Sequence, residues 1–212
     1  MLIHFNDYQG KALQTCNPNL SKKDMLINGI LGLNGELSET ITNYFARAEL
    51  DDPNFKEDIT NEFGDVYWYI ALISFALDIP ANGLLDNFNI EKYEDAVYRY
   101  IEKKENLNDI FKTKDCYQRA PLKNGEYEYA IHYSGLITDT IKKVLYQGHE
   151  LTEETLNNIK IYLMNLVFCL ALWHTRQQIP LFWVLNFNLY KLSQRYPNGF
   201  DSEHSINRKE ES

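Results

Sequence analysis

The chain has 212 residues, 44% of them hydrophobic, with 21 Lys plus Arg against 30 Asp plus Glu and a formal net charge of −9. That composition suits a packed globular core, and the acidic balance argues against broad binding to a nucleic acid polymer. No run approaches the roughly 18 uninterrupted apolar residues of a membrane span, so no membrane partner is expected. The opening MLIHFNDYQG has neither a basic region nor an apolar signal core, and the three cysteines are widely spaced without a CxxC pair, so a reduced, cytoplasmic location is expected.

Apolar residues recur at helical spacing almost throughout, and no stretch alternates between hairpin turns, so the expected fold class is all-α. In chain order the pattern predicts a short helix over 5–15, a helix over 25–47, and a turn over 48–54 holding Pro53 and three acids. Further helices are expected over 55–77 and 80–103. Residues 106–124 are polar and irregular and read as a linker. Helices over 127–146, 152–178 and 180–195 come next, before a charged tail. Prolines and glycines fall mainly at these joints, as helix ends require.

A shift of one hundred residues aligns Thr40-Ile41 with Thr140-Ile141, Ala71-Leu72 with Ala171-Leu172, and Ile79-Pro80 with Ile179-Pro180. With one residue of slippage Asn87-Phe88-Asn89 meets Asn186-Phe187-Asn188, and Lys92 meets Lys191. Several dipeptides in order predict an internal duplication: copy one over 1–105, a linker over 106–124, copy two over 125–200 and a tail over 201–212. The expected architecture is two degenerate copies of a four-helix motif in one globular unit, the second copy keeping three of the helices.

Two carboxylate couplets stand out, Glu36-Leu37-Ser38-Glu39 and Glu62-Phe63-Gly64-Asp65. Spacing of i,i+3 places both acids of a couplet on one helix face, and two antiparallel helices would bring the couplets together. A solvated acidic face is the bland alternative. Against it, both couplets adjoin strongly apolar segments, where like charges repel and lose hydration unless a cation compensates. Glu36, Glu39, Glu62 and Asp65 are therefore the expected metal ligands. Oxygen-only donors favour Mg²⁺, with Mn²⁺ as the alternative, and Mg²⁺ on carboxylates commonly takes up phosphate oxygens. In the duplication register these positions read Leu136, Asp139, Tyr162 and Asn165, so only copy one can carry the metal. His4, His132, His174 and His204 lack partners at ligand spacing and read as structural or exposed. Tyr67, Trp68, Trp173 and Trp183 stand on apolar helical faces and are expected in the core.

ELSE followed by EFGD resembles the ExxE then ExxD signature of the all-α nucleoside triphosphate pyrophosphohydrolases, the superfamily of MazG-like enzymes, dimeric dUTPases and dCTP pyrophosphatases. The opening FNDYQGKALQTCNP, the stretch LGLNGELSE, the helix EFGDVYWYIALI and the ending NLYKLSQRYPNGF are similar to further segments of the MazG-like pattern. The resemblance implies Mg²⁺-dependent hydrolysis of a (deoxy)nucleoside triphosphate to the monophosphate and pyrophosphate, with a dUTP, dCTP or non-standard nucleotide as substrate. It implies that Glu36, Glu39, Glu62 and Asp65 hold the metal, and that one of them also serves the attacking water. Substrate contacts carried over from the motifs are Asn89 and Lys92 in copy one, and Lys143, Asn188, Lys191 and Arg195 in copy two. Single-copy relatives dimerise, so the resemblance implies a fused pseudo-dimer with one working site; relatives that form tetramers make a homodimer of such chains compatible with it. The rival readings are a catalytically idle nucleotide-binding protein and a helical interaction protein.

Overall fold

Phe5, Tyr8 and Ala12 recur at helical spacing and bury one face of the first helix, α1 (Phe5–Ala12). The computed structural model describes residues 5–48, 50, 52–85, 98–105 and 125–203. A 3-10 turn at Leu13–Thr15 ends this opening segment. Helix α2 (Lys22–Arg47) begins at Lys22 rather than Met25 because Ser21 caps it. The Ser21 hydroxyl accepts from the Asp24 amide at 3.1 Å and donates to the Asp24 carboxylate at 2.6 Å. Leu26, Ile30, Leu33 and Leu37 form the buried stripe of α2, which packs mainly on α3 (Phe55–Ala76). At the turn between them Arg47 reaches Asp52 at 2.5 Å and Asp58 at 2.6 Å, bracing the hairpin.

Helix α3 is buried on nearly every side, with Ile59, Phe63, Val66, Tyr67, Ile70 and Ile73 out of solvent. A helix that is apolar all round belongs in the middle of a bundle. Helices α1 and α2 pack against it, and so do two helices from the second half. That half opens with α4 (Glu126–Tyr146) and α5 (Glu153–Arg176), which form a second hairpin, and ends with α6 (Leu181–Arg195). Among the described residues, α5 is long and apolar enough by length and composition to cross a membrane. Ile159, Leu163, Met164 and the run from Leu166 to Trp173 are in fact buried in the bundle, as a core helix requires, while Ile161 on the opposite face is exposed. The architecture is an all-α bundle, without strands among the described residues, and one hydrophobic core runs through both halves.

The helix expected over 80–103 does not begin where α3 ends. The chain there forms a 3-10 turn at Ala81–Leu84, and residues 98–101 are helical; residues 86–97 lie outside the described residues. Asn6 and Asn82 hold this turn by reciprocal bonds, each side-chain oxygen accepting from the other's backbone amide at 2.7 and 2.9 Å. Gly83 within it further disfavours a continuing α-helix.

Positions one hundred residues apart behave alike at the ends of α3 and α5. Asp78 and Gln178 both take left-handed backbone, with φ of 57° and 61°. Each ends its helix with the next amide, of Ile79 or Ile179, donating back to the carbonyl of Ser74 or His174 at 2.8 and 2.9 Å. Where α2 crosses α4, the Ser134 hydroxyl donates to the Asn34 side-chain oxygen at 3.4 Å, and Asn34 donates to Thr138 at 2.9 Å. Beyond these helices the packing is exchanged. The turn after α3 packs on α1 and α5, whereas α6, which comes after α5, packs chiefly on α3 and α1.

Candidate metal centre

Glu36 and Glu39 project from α2, and Glu62 and Asp65 from α3. Small residues let the helices carrying them approach closely. A Cβ at Gly32 would lie 2.1 Å from the Tyr69 ring, and one at Gly64 would lie 2.8 Å from the Cβ of Asn188 on α6. Gly32 thus admits α3 against α2, and Gly64 admits α6 against α3.

One carboxylate oxygen from each of Glu36, Glu39 and Glu62 lies within 4.8 Å of the others. Opposite ligands of an octahedral Mg²⁺ stand roughly 4.2 Å apart, so a small contraction would close this trio on an ion. Among the described residues no lysine or arginine pairs with any of the three. Asn43 donates to Glu62 at 2.9 Å and leaves the rest of the trio's lone pairs open. Burial, with the charges of Asp65, Glu39 and Glu62 adding to it, pushes the Glu36 carboxyl up to about 7. Glu62 is raised by burial first, then by Asp65 and Glu39, while Lys191 and the Asn43 bond oppose the shift. A hard divalent cation would relieve that crowding, and anionic oxygens are the donors Mg²⁺ and Mn²⁺ prefer. The donor set fits such an ion.

Asp65 stands apart from the trio. Lys191 on α6 places its Nζ 2.6 Å from both Asp65 oxygens, and Asn188 donates its Nδ2–H to Asp65 Oδ1 at 3.1 Å. Asn188 is fully buried, and its own oxygen accepts from the Tyr8 hydroxyl at 2.8 Å. Tyr8, Asn188, Asp65 and Lys191 therefore form one chain of bonds across α1, α6 and α3. The role of Tyr8 is absent from the sequence pattern, because its partner lies 180 residues away.

Beside Glu36 and Asp65 opens a cavity of about 220 Å³ whose walls include Trp68, Tyr69, Tyr196, Asn28 and Arg195. Trp68, expected in the core, is only partly buried and lines this cavity. Its indole N–H, bonded to the Ala12 carbonyl and the Thr15 hydroxyl at 3.1 Å each, fixes the ring. The segment after α6 closes one side: the Phe200 amide donates to the Gln14 carbonyl at 3.1 Å, and Gly199 makes the turn with φ of 88°.

Elsewhere the expected residues are dispersed. Lys143 pairs with Asp139 on its own helix at 2.6 Å, as does Lys142, and together they pull the Asp139 carboxyl down to about 2. Gly148, with φ of 74°, ends α4 in an exposed turn. Asn89 and Lys92 lie outside the described residues, as do His4 and His204. Tyr67 and Trp173 are in the core as expected, but Trp183 is 58% exposed, because α6 turns Leu181, Val184, Leu185 and Asn188 inward and leaves Trp183 on its outer face with Phe182, Asn186 and Tyr190. His174 is wholly buried, its Nδ1–H donating to the Ile179 carbonyl at 2.7 Å and its Nε2 facing the Tyr67 hydroxyl at 3.2 Å.

Comparison with protein-family models, with curated proteins and with solved structures finds no match to this chain. The class that fold and site define is an all-α bundle with a crowded acidic centre beside an aromatic cavity.

Proposed function

We propose that this chain is a divalent-cation-dependent nucleotide pyrophosphohydrolase, converting a (deoxy)nucleoside triphosphate to the monophosphate and pyrophosphate. The observation that carries the reading is the convergence of Glu36, Glu39 and Glu62, unpaired by any described cation, at the edge of a cavity lined by Trp68 and Tyr69. The ExxE and ExxD resemblance points the same way. A bound Mg²⁺ or Mn²⁺ supplies neutralisation of phosphate oxygens and a lower pKa for bound water.

The cavity, at about 220 Å³, is smaller than the roughly 300–1,000 Å³ of a site for a drug-sized ligand. It suits a single base held between aromatic walls, with Asn28 offering hydrogen bonds. The triphosphate then extends past Glu36 toward Glu39 and Glu62. Lys191 and Arg195 meet its negative charge, and a carboxylate of the cluster takes the proton of the water that breaks the α–β anhydride bond. A pyrimidine or non-standard base is the substrate class this reading favours.

The same reading makes the chain a fused pseudo-dimer. It is supported by the contact of Asn34 with Ser134, since equivalent residues meet at a two-fold axis, and by the matched helix ends at Asp78 and Gln178. Metal ligands then come from copy one, while Asn188, Lys191 and Arg195 come from copy two.

Pyrophosphate release with Mg²⁺ across a panel of NTPs and dNTPs tests the activity. The wild type is expected to turn over at least one member, and Glu62→Ala and Asp65→Ala each to lose on the order of 100-fold or more in kcat. Activity that survives both substitutions removes the site assignment, and a wild type inactive on the whole panel removes the enzymatic reading.

A further inference from the structure

Among the described residues, Lys191 is the one cation placed on the four acids. Its Nζ sits 2.6 Å from both oxygens of Asp65, and its side chain is only 10% exposed. A lysine that far from solvent and bonded to both carboxylate oxygens is no solvated surface charge. Its carboxylate is held from the other side as well, since the buried amide of Asn188 donates to Asp65 and is itself oriented by the Tyr8 hydroxyl. Among the described residues Glu36, Glu39 and Glu62 have no cationic partner, Glu62 accepting only from the Asn43 amide, and one oxygen of each lies within 4.8 Å of the others.

We propose that Lys191 is a tethered counter-ion that occupies Asp65 in the free protein, so that a divalent cation alone meets three carboxylates and gains the fourth only when Lys191 leaves. This rests on the metal centre of the proposed function and adds to it an order of events. Lys191 is largely shielded from water while Asp65 is only partly buried, so an ammonium taken from that carboxylate needs another anion to receive it. The phosphate groups of an incoming ligand, arriving at the same cluster, provide one. Lys191 is therefore a positioning residue that couples cation binding to anion binding, and such coupling is reciprocal.

Isothermal titration of the full chain with Mn²⁺, without nucleotide, tests the device through binding rather than turnover. Lys191→Met is expected to bind Mn²⁺ about tenfold more tightly than wild type because it frees Asp65, whereas Lys191→Arg, which keeps the charge, stays near wild type. Removing any nearby positive charge would also favour a cation, so a double-mutant cycle with Asp65→Asn separates the two causes. If Lys191 acts by occupying Asp65, Asp65→Asn alone leaves Mn²⁺ affinity within about threefold of wild type, and the double variant shows no gain over it. A gain from Lys191→Met that persists in the Asp65→Asn background overturns the proposal, as does an equal affinity of Lys191→Met and wild type; both leave the metal centre standing. Absence of Mn²⁺ binding by all of these proteins, each checked for a helical spectrum and a cooperative melt, overturns the metal centre and the counter-ion together.

Discussion

Glu36, half-buried where α2 meets α3, bears the consequence of having three other acids close by. Its carboxyl is pushed up to about 7, by burial first and then by Asp65, Glu39 and Glu62. A cation that binds there must displace a proton whenever the pH is below that value. Affinity for Mn²⁺ is therefore expected to fall by up to about tenfold per pH unit as the pH drops below 7, and to level off above about 8. Titration calorimetry at pH 6, 7 and 8 in buffers of different ionisation enthalpy checks this, through both the affinity and the protons released. A flat affinity across that range contradicts it. In the cation-free protein the sign of the stability effect is opposite to that of a salt-bridged acid. Between about 4.5 and about 7 the folded chain keeps a proton that the unfolded chain has lost, so stability declines as pH rises through that window. The i,i+3 spacing made the four acids legible in the sequence as members of shared helix faces. It could not reveal that Asp65 is taken by Lys191, since that pair depends on where α6 crosses α3, 126 residues further along the chain.

At the scale of elements, helix bounds were legible where a local signal ended them. Arg47, Tyr146 and Arg195 close their helices at the expected residues, each beside a turn sequence rich in Gly, Pro or acids. The start of α2 slipped to Lys22 because the Ser21 cap, a local signal, outranks the first apolar residue. The turn at Ala81–Leu84 was illegible for a different reason: besides its own backbone bonds it is held by side-chain bonds between Asn82 and Asn6, 76 residues away. The helix ends at Asp78 and Gln178 offer a clean test of local conformation. Both hold left-handed backbone without glycine, which costs an ordinary residue about 1–2 kcal/mol. Asp78 also pairs with Lys22, so its replacement would remove two things at once. Gln178 is exposed, and Gln178→Gly relieves only the backbone. After the entropy that glycine adds to the unfolded chain, a net gain of about 0.5–1 kcal/mol is expected. Urea denaturation checks it, with an increased midpoint at unchanged slope. A decreased midpoint would mean that the side chain, not the backbone, holds this end of α5.

For the whole molecule the decisive feature is the exchange at the ends of the two hairpins. If each half packed on itself, α6 would cover α5; instead it covers α3 and α1, and the turn after α3 covers α5. Side chains from both halves then belong to one core, including Phe63 and Tyr67 from the first and Trp173, Val184 and Leu185 from the second. Phe63 meets Trp173 edge to face with ring centres 5.0 Å apart, and Tyr67 bonds His174 in the buried interior. Separating the halves would expose apolar faces of both α3 and α5, so neither half is expected to be an independent folding unit. A protease site placed within residues 106–124 turns this into an experiment. After cleavage the two pieces are expected to elute together in gel filtration, to retain Mn²⁺ binding, and to melt in a single transition that depends on protein concentration, as an obligate two-chain assembly does. The piece comprising residues 1–105 alone is expected to show no cooperative transition. Should that piece fold by itself and bind Mn²⁺ as tightly as the full chain, α6 would be dispensable to the acidic centre. Asn188 and Lys191, which reach Asp65 only from α6, would then lose their place in the site, so the exchange of helices and the chemistry of the centre stand or fall on the same measurement.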